Sequence, residues 1–513
     1  MKLIYNVLKL TFLMGVLLVL PSCNDLLEEP AENTVFTGAT DYTNTGNMIL
    51  PIMGVYAGFQ DFAWENYPLI SVRGDDVNAG GLGDQQDFGE TDKFNYNKDY
   101  WMYNAVWQNF YKDVYTSLSA IEEIKLYQEN ASNKALADQY MAEAKVVQAF
   151  SLLQLARLWG NIVIPTTPDP SDLYTSRLST KEEVMQFISG LMDEAIPVLP
   201  DLRPNERTDI RGGVTRHTAL AIKAMANLEL KNYPEVAQAT SQIISSGRFS
   251  LAPKFYDLFK IAGKLSDENL YEFQYSDFGQ GTGDVKSFPH AFFGPENWTP
   301  SRTGASSGWG FFEPSLKYIK FMLDRGETER LETSVLFTNR GIDELKKDPK
   351  YATLPAFVSN RTREGDVINN FNRAMFVSGK HYLPSAQLTQ GRTEYGTNKN
   401  FIVIRYAQVL LMHAEALTRG ATGTGMTADE AVNTVRTRAG LAPLTGVTSQ
   451  QVMDEKYAEL AMEWGIRYYD MIRLGNYQEL NYDGRTFSED KVFLPLPQNQ
   501  VDLLPVLGDN QEQ

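Results

Sequence analysis

The sequence predicts a mainly α fold, helical pairs joined by long irregular loops, and three observations carry that reading. Apolar residues recur at spacings of three and four over long stretches, strand signals are few and short, and small residues collect where helices would cross. The first periodic stretch covers 48–62. A longer one covers 104–127, with Val106, Phe110, Val114, Leu118 and Ile121 on one face; Trp107 falls within it and is assigned to the core. Residues 135–159 carry the strongest stripe, Ala142, Val146, Ala149, Leu153 and Ala156, which Gly160 closes and Pro165 keeps from resuming. Further helices are predicted at 181–198, 215–230, 234–245, 314–323, 401–418, 428–439 and 449–474. The best strands are 270–275 and 491–496. Residues 219–244 and 414–438 each have the small-residue helix, tight turn and second helix of a tetratricopeptide unit. An ordinary bundle with alanine at its contacts fits the same periodicity equally well.

The N-terminus has to be read apart from the fold. Lys2 and Lys9 accompany an uncharged apolar run at 10–20, and Leu20-Pro21-Ser22-Cys23 follows at once. This pattern predicts a signal peptide at 1–22 with Cys23 as the acylated first residue of the mature chain. The run is shorter than the ~20 apolar residues that span a bilayer. Cys23 is the one cysteine among 513 residues, so no intramolecular disulfide can form and the core must stabilise the protein alone. Residues 23–45 read as lipid anchor and tether. The span 46–513 is expected to form a single helical domain, with an N-terminal part at about 46–230 and a C-terminal part at about 270–513. Cleavage would remove two lysines and no acid, taking the net charge from −17 to about −19. Such a balance argues against nucleic acid and against electrostatic adhesion to anionic lipid, leaving membrane attachment to the anchor.

Catalytic motifs are scarce. His217, His290, His381 and His413 are scattered without helical metal spacing, and neither a phosphate-cradling glycine loop nor a Gly-x-Ser-x-Gly turn is present. No cofactor is expected; Asp75-Asp76 and the acids of 84–92 offer oxygen-rich loops for a structural Ca²⁺, but the twelve-residue calcium pattern is missing. Two long stretches, 73–103 and 276–313, do not read as helix and are rich in Gly, Asp, Asn and aromatic residues. Loops of that length are functional or disordered, and their aromatic content argues for function.

Several segments then fall in one order. The acidic run Asn24-Asp25-Leu26-Leu27-Glu28-Glu29-Pro30 follows the lipobox, and Ala142-Glu143-Ala144 leads to Trp159-Gly160-Asn161. Ile404-Arg405-Tyr406-Ala407-Gln408-Val409-Leu410-Leu411, Ala414-Glu415-Ala416, Arg438-Ala439-Gly440-Leu441, Glu459, Glu463, Arg467-Tyr468-Tyr469-Asp470 and Leu494-Pro495-Leu496-Pro497 complete the series. Nearly the whole chain thereby resembles the SusD/RagB nutrient-binding lipoproteins of Bacteroidetes. Pro21, where a small residue is commoner, and the detail of Glu463-Trp464-Gly465-Ile466-Arg467 depart from the family pattern. The resemblance implies an outer-membrane lipoprotein facing outward, a glycan or other nutrient as ligand, a SusC-like TonB-dependent transporter as partner, and no enzyme activity. By the same analogy Arg73, Asp75 and Asp76 are expected to hydrogen-bond sugar hydroxyls, and Tyr96, Trp101, Trp298 and Trp309 to stack on sugar rings. The motif charges Glu143, Arg405, Glu415, Glu459, Glu463, Arg467 and Asp470 lie among apolar residues, where a charge must be paired, and Arg405 is expected to pair with an acid on a neighbouring helix. The competing classes are a surface hydrolase or esterase on a helical scaffold and a structural adhesin.

Overall fold

Thr-x-x-Glu and Thr-x-x-Gln sequences start several helices of this protein, whose computed structural model describes residues 40–60, 65–81, 84–276, 288–389 and 399–508. The signal peptide, Cys23, most of the tether and part of the second long loop lie outside those residues. The chain divides into two units, Met1–Asn44 and Thr45–Gln513. In the first, the Asp41 carboxylate accepts the Thr43 N–H at 3.0 Å.

The second unit is built on helices α1 (Ile49–Gln60), α2 (Asn66–Ser71), α3 (Gln86–Asp92), α4 (Trp101–Asn130), α5 (Lys134–Trp159), α6 (Lys181–Ala195), α7 (Arg216–Glu229) and α8 (Tyr233–Ser245). Then follow α9 (Leu316–Asp324), α10 (Tyr406–Thr418), α11 (Ala428–Arg438), α12 (Ser449–Leu460) and α13 (Ile466–Leu474). At the start of α6, Thr180 accepts the Glu183 N–H at 3.2 Å and Glu183 accepts the Thr180 N–H at 2.8 Å. The same reciprocal cap opens α11 through Thr427 and Glu430 and α12 through Thr448 and Gln451. Helix α5 ends at Gly160, whose φ of +73° suits a residue without Cβ and whose N–H reaches the Ala156 carbonyl at 3.0 Å.

Each long helix packs on its successor, α4 on α5, α5 on α6, α6 on α7 and α7 on α8; α8 then meets α10, which carries α11 and α12. Ala219, Ala221, Ala224 and Ala226 are fully buried on α7, so its axis can approach α8 closely, and the pairs stack as tetratricopeptide-like units. Leu152, Leu153, Leu155 and Leu158 of α5 are completely excluded from water, each worth about 2 kcal/mol of burial. No helix among the described residues is long and apolar enough to cross a membrane.

Strands are short and serve to tie loops together: β1 (Val77–Ala79), β2 (Asn269–Phe273), β3 (Phe312–Pro314), β4 (Val335–Phe337), β5 (Phe376–Ser378) and β6 (Phe401–Arg405). β1 runs antiparallel to β3 with Val77 opposite Pro314, which joins the two long loops side by side. β4 pairs with β5, and β2 pairs with β6.

Three expectations are corrected. Residues 401–405 are a strand and not the first turn of α10, since the β-branched run Ile402-Val403-Ile404 favours an extended chain beside β2. The predicted strand at 491–496 is absent; Leu494 donates one bond to the Leu158 carbonyl at 2.9 Å, and Pro495 and Pro497 have no N–H with which to continue a ladder. The helix expected over 449–474 breaks at 461–465, where Met462, Trp464 and Gly465 have positive φ. A Cβ on Gly465 would lie 2.4 Å from the Ile70 carbonyl oxygen, so only glycine lets that turn close.

The motif charges are buried and paired in several separate clusters. Arg405, 1 % exposed, bonds to Glu268 at 2.9 Å, Glu459 at 2.5 Å and Glu463 at 2.7 Å. Arg330 and Arg438 share Glu459 with it. Glu415 takes Lys456 and Arg473, Asp470 takes the same two, and Glu143 takes Arg207 at 2.7 Å. Burial opposes ionisation of Glu459, but Arg438, Arg405 and Arg330 outweigh it and hold the carboxyl below its ordinary range. These residues hold helices together.

Candidate functional site

The segment 288–313 folds back on itself at two glycine contacts, and this places its aromatic residues. A Cβ on Gly308 would come within 2.5 Å of the Gly294 backbone, and Gly310, at φ +61°, donates to the Gly294 carbonyl at 3.0 Å. Trp309 between them donates its N–H to the Ala291 carbonyl at 2.7 Å and stays half-buried. Its indole meets Phe292 edge-on at 4.7 Å and Phe311 at 6.3 Å. From Phe292 the series continues through Phe312 at 6.0 Å and Phe88 at 5.6 Å to Trp101 at 6.2 Å, which is 47 % exposed.

A charged edge adjoins these rings. The Arg373 guanidinium lies 4.8 Å from the Phe311 centroid and pairs with Asp84 and, at 2.9 Å, with Glu296. Gly80 permits this approach, because a Cβ there would lie 2.7 Å from the Arg373 carbonyl; Gly81 donates to that carbonyl at 3.0 Å. Asn297, Asn369 and Asn370 border the same edge, with Asn297 donating to the Asn370 carbonyl at 2.9 Å. The arrangement offers aromatic faces beside bidentate polar groups. That combination suits a ligand with C–H patches next to hydroxyls. Both acids of the edge bond to one arginine, and among the described residues no group of three His, Cys, Asp or Glu side chains is placed to hold a metal.

Trp309 and Trp101 thus lie at the partly exposed ends of an aromatic series whose middle rings, Phe292, Phe312 and Phe88, are buried, and the five other expected contacts lie elsewhere. Arg73 is fully buried with its guanidinium 4.3 Å from the Tyr468 centroid. Asp75 is fully buried between Arg467 at 2.7 Å and Lys317 at 2.8 Å, which overcome the upward push of burial and hold its carboxyl below the usual range. Asp76, 2 % exposed, accepts the Met462 N–H at 2.6 Å, and burial raises its carboxyl to about 6. The helix break at 461–465 brings the Met462 N–H to this residue. Trp298 faces inward, 7 % exposed beside Phe371 and Tyr382, because the pairing of Trp298 with Ile368 turns it into a core cluster. Tyr96 is half-buried in the wall of a separate cavity.

Asp84, Glu296, Phe311 and Arg373 were not anticipated from sequence. Arg373 carries no local signal, since Asn369-Asn370-Phe371-Asn372-Arg373 reads as an ordinary polar loop. His290 and His381, far apart in sequence, lie with ring centroids 6.0 Å apart in the interior, where burial lowers the basicity of both.

A model of the SusD family matches residues 267–512, and a second, described as starch-binding associating with outer membrane, matches 74–226. The chain belongs to the SusD family. SusD-like protein P2 of Formosa agariphila is 26 % identical over 495 residues, which cover 91 % of each chain. A SusD-like protein of Bacteroides ovatus is 22 % identical over 400 residues, 74 % of this chain and 67 % of the relative. Among solved SusD-like structures, a laminarin binding SusD-like protein superposes with a TM-score of 0.73 at 20 % identity, covering 90 % of this chain and 97 % of the other. Surface glycan-binding protein A from Bacteroides thetaiotaomicron, in complex with laminarihexaose, gives 0.71 at 22 % identity over 89 % and 97 %. The SusD fold therefore extends over about nine-tenths of this chain.

Proposed function

We propose that this SusD-family protein captures a glycan reversibly at the surface formed by Trp309, Phe311, Arg373, Asp84 and Glu296. The carrying observation is the half-buried Trp309 indole beside a guanidinium that two carboxylates hold in place. A sugar ring would rest its C–H face on the aromatic groups while hydroxyls exchange hydrogen bonds with the charged edge. Solved relatives whose names state laminarin or glycan binding support carbohydrate as the ligand class. The protein would act by binding alone, anchored through acylated Cys23 to the outer membrane, and would pass its cargo to a SusC-like TonB-dependent transporter.

The test is affinity electrophoresis and calorimetry of the intact protein against laminarin, starch and other polysaccharides. Trp309→Ala is expected to weaken binding about 10-fold, equivalent to ~1.4 kcal/mol, with the unfolding temperature little changed. Wild-type affinity in that variant would remove the site, and release of new reducing ends would replace capture with hydrolysis.

A further inference from the structure

Beyond the Trp309 surface, a second cavity of about 320 Å³ opens where the end of α5 meets the segment 489–496. Its volume is at the small end of the range for ligand sites. Tyr96, Trp159 and Phe493 supply aromatic walls, and Leu494, Leu496 and Val501 supply aliphatic ones. Lys98, Glu489, Asp490 and Lys491 give the lining both signs of charge. The position of Phe493 is set from below: Gly160 lacks a Cβ, and one built there would lie 3.0 Å from the Phe493 ring. Opposite, Gln500 donates to the Asn104 side chain at 2.8 Å, which fastens the short helix Gln498–Leu503 bearing Val501 to α4.

Two polar groups of this lining, the Tyr96 hydroxyl and the Trp159 indole N–H, have no hydrogen-bond partner within hydrogen-bond distance among the described residues. Trp159 is 1 % exposed, packs edge-on against Trp107 at 5.1 Å, and its indole N–H has no acceptor among the described residues. A buried donor without a partner is unfavourable, so an acceptor supplied from outside would be favoured. The chemistry narrows the class of ligand. An apolar guest would leave the indole N–H unpaired, and a guest of one charge would meet its own sign in the lining, Glu489 and Asp490 for an anion and Lys98 and Lys491 for a cation. A neutral polyol ring suits this lining, with C–H faces against Tyr96 and Phe493, hydroxyls for the lysines and acids, and oxygens available to any donor the wall leaves unpaired.

We propose that this cavity is a second carbohydrate site, which takes a single ring or the end of a saccharide chain and is separate from the Trp309 surface. The choice of a saccharide rests on the capture function proposed above. Two sites on one protein would let a polymer be held at an end and along its length, and joint engagement raises apparent affinity without new contacts.

The experiment is ¹⁹F NMR of the full chain labelled with 5-fluorotryptophan, with the Trp159 and Trp309 signals assigned through Trp159→Phe and Trp309→Ala. Glucose, maltohexaose and laminarihexaose are added separately at millimolar concentration. The Trp159 signal is expected to shift with at least one of these sugars, in the wild type and equally in Trp309→Ala. Phe493→Ala should abolish that shift while the Trp309 signal still responds. Because Phe493 also packs on Gly160, Val501→Trp, which fills the cavity without removing a wall, provides the independent variant and should abolish it as well. A Trp309 response with a silent Trp159 overturns the second site and leaves the first standing. A Trp159 response with a silent Trp309 keeps the cavity and removes the Trp309 surface. Silence at both defeats both, and a Trp159 shift that survives Val501→Trp shows that the sugar does not enter here.

Discussion

Arg405→Met is expected to lower unfolding stability by about 3–5 kcal/mol, read as an earlier urea midpoint at unchanged slope. The guanidinium is almost wholly excluded from water, and it donates to the carboxylates of Glu268, Glu459 and Glu463 and to the Glu459 carbonyl. Methionine fills much of the volume but leaves three buried carboxylates short of positive charge. Lys380 and Arg438 remain for Glu463 and Glu268, and Arg330 and Arg438 for Glu459, so the loss should be large without preventing folding outright. Arg405→Lys should rescue little, because an ammonium cannot reproduce a planar fork serving three acceptors. Carbohydrate affinity of the folded variant should match the wild type. An unchanged urea midpoint would mean that the network is not what binds β6 to α12.

Glu313→Gln should act in the opposite sense, with an effect that sets in above about pH 4.5 and is complete a little above 7. Glu313, 8 % exposed on β3, accepts the N–H groups of Met375 and Phe376 at 2.7 and 3.0 Å, and burial raises its carboxyl from 4.5 to about 7. Arg340 and the Met375 and Phe376 N–H groups pull the other way without overcoming burial, and Asp92 adds to the upward push. A group whose folded value is raised contributes stability that is complete below its unfolded value and is lost as pH rises through the folded one. The wild type should therefore lose about 3 kcal/mol at this residue between pH 4.5 and a little above 7, by the usual 1.36 kcal/mol per unit. Glutamine keeps an acceptor oxygen and does not titrate. The stability difference between the variant and the wild type should grow across that window and stay flat below it; a difference independent of pH would show Glu313 already ionised in the fold. Glu272, raised by burial to about 7 and bonded to Asn269, Asn400 and the Leu265 N–H, should behave alike.

Local rules made much of the helical scaffold legible. The stripe of α5 and its stop at Gly160 and the alanine-rich contact of α7 with α8 are both written within a few turns of chain. What sequence could not supply was the outcome of contacts across hundreds of residues. Arg73, Asp75 and Asp76 look like exposed loop polar groups until Tyr468, Arg467 and Met462 are brought over them. Trp298 and Trp309 are equivalent in composition and eleven positions apart, yet a two-residue pairing with 367–368 sends the first inward while a glycine crossing leaves the second at the surface. Arg373 reaches the aromatic edge from a distant loop, so no spacing rule could find it.

The joins between Tyr67 and Met462, Arg73 and Tyr468, and Asp75 and Arg467 span 395, 395 and 392 residues. Each closes more than three quarters of the 513-residue chain into a ring, and rings of that size are slow to find by diffusion. The early segment around 65–79 accordingly has to wait, with an acid pair and a guanidinium still hydrated, until the last tenth of the chain has been delivered. A chain released short of residue 460 would retain most of its helices and lack the clasp that shuts them, which makes the final stretch the checkpoint for a finished molecule.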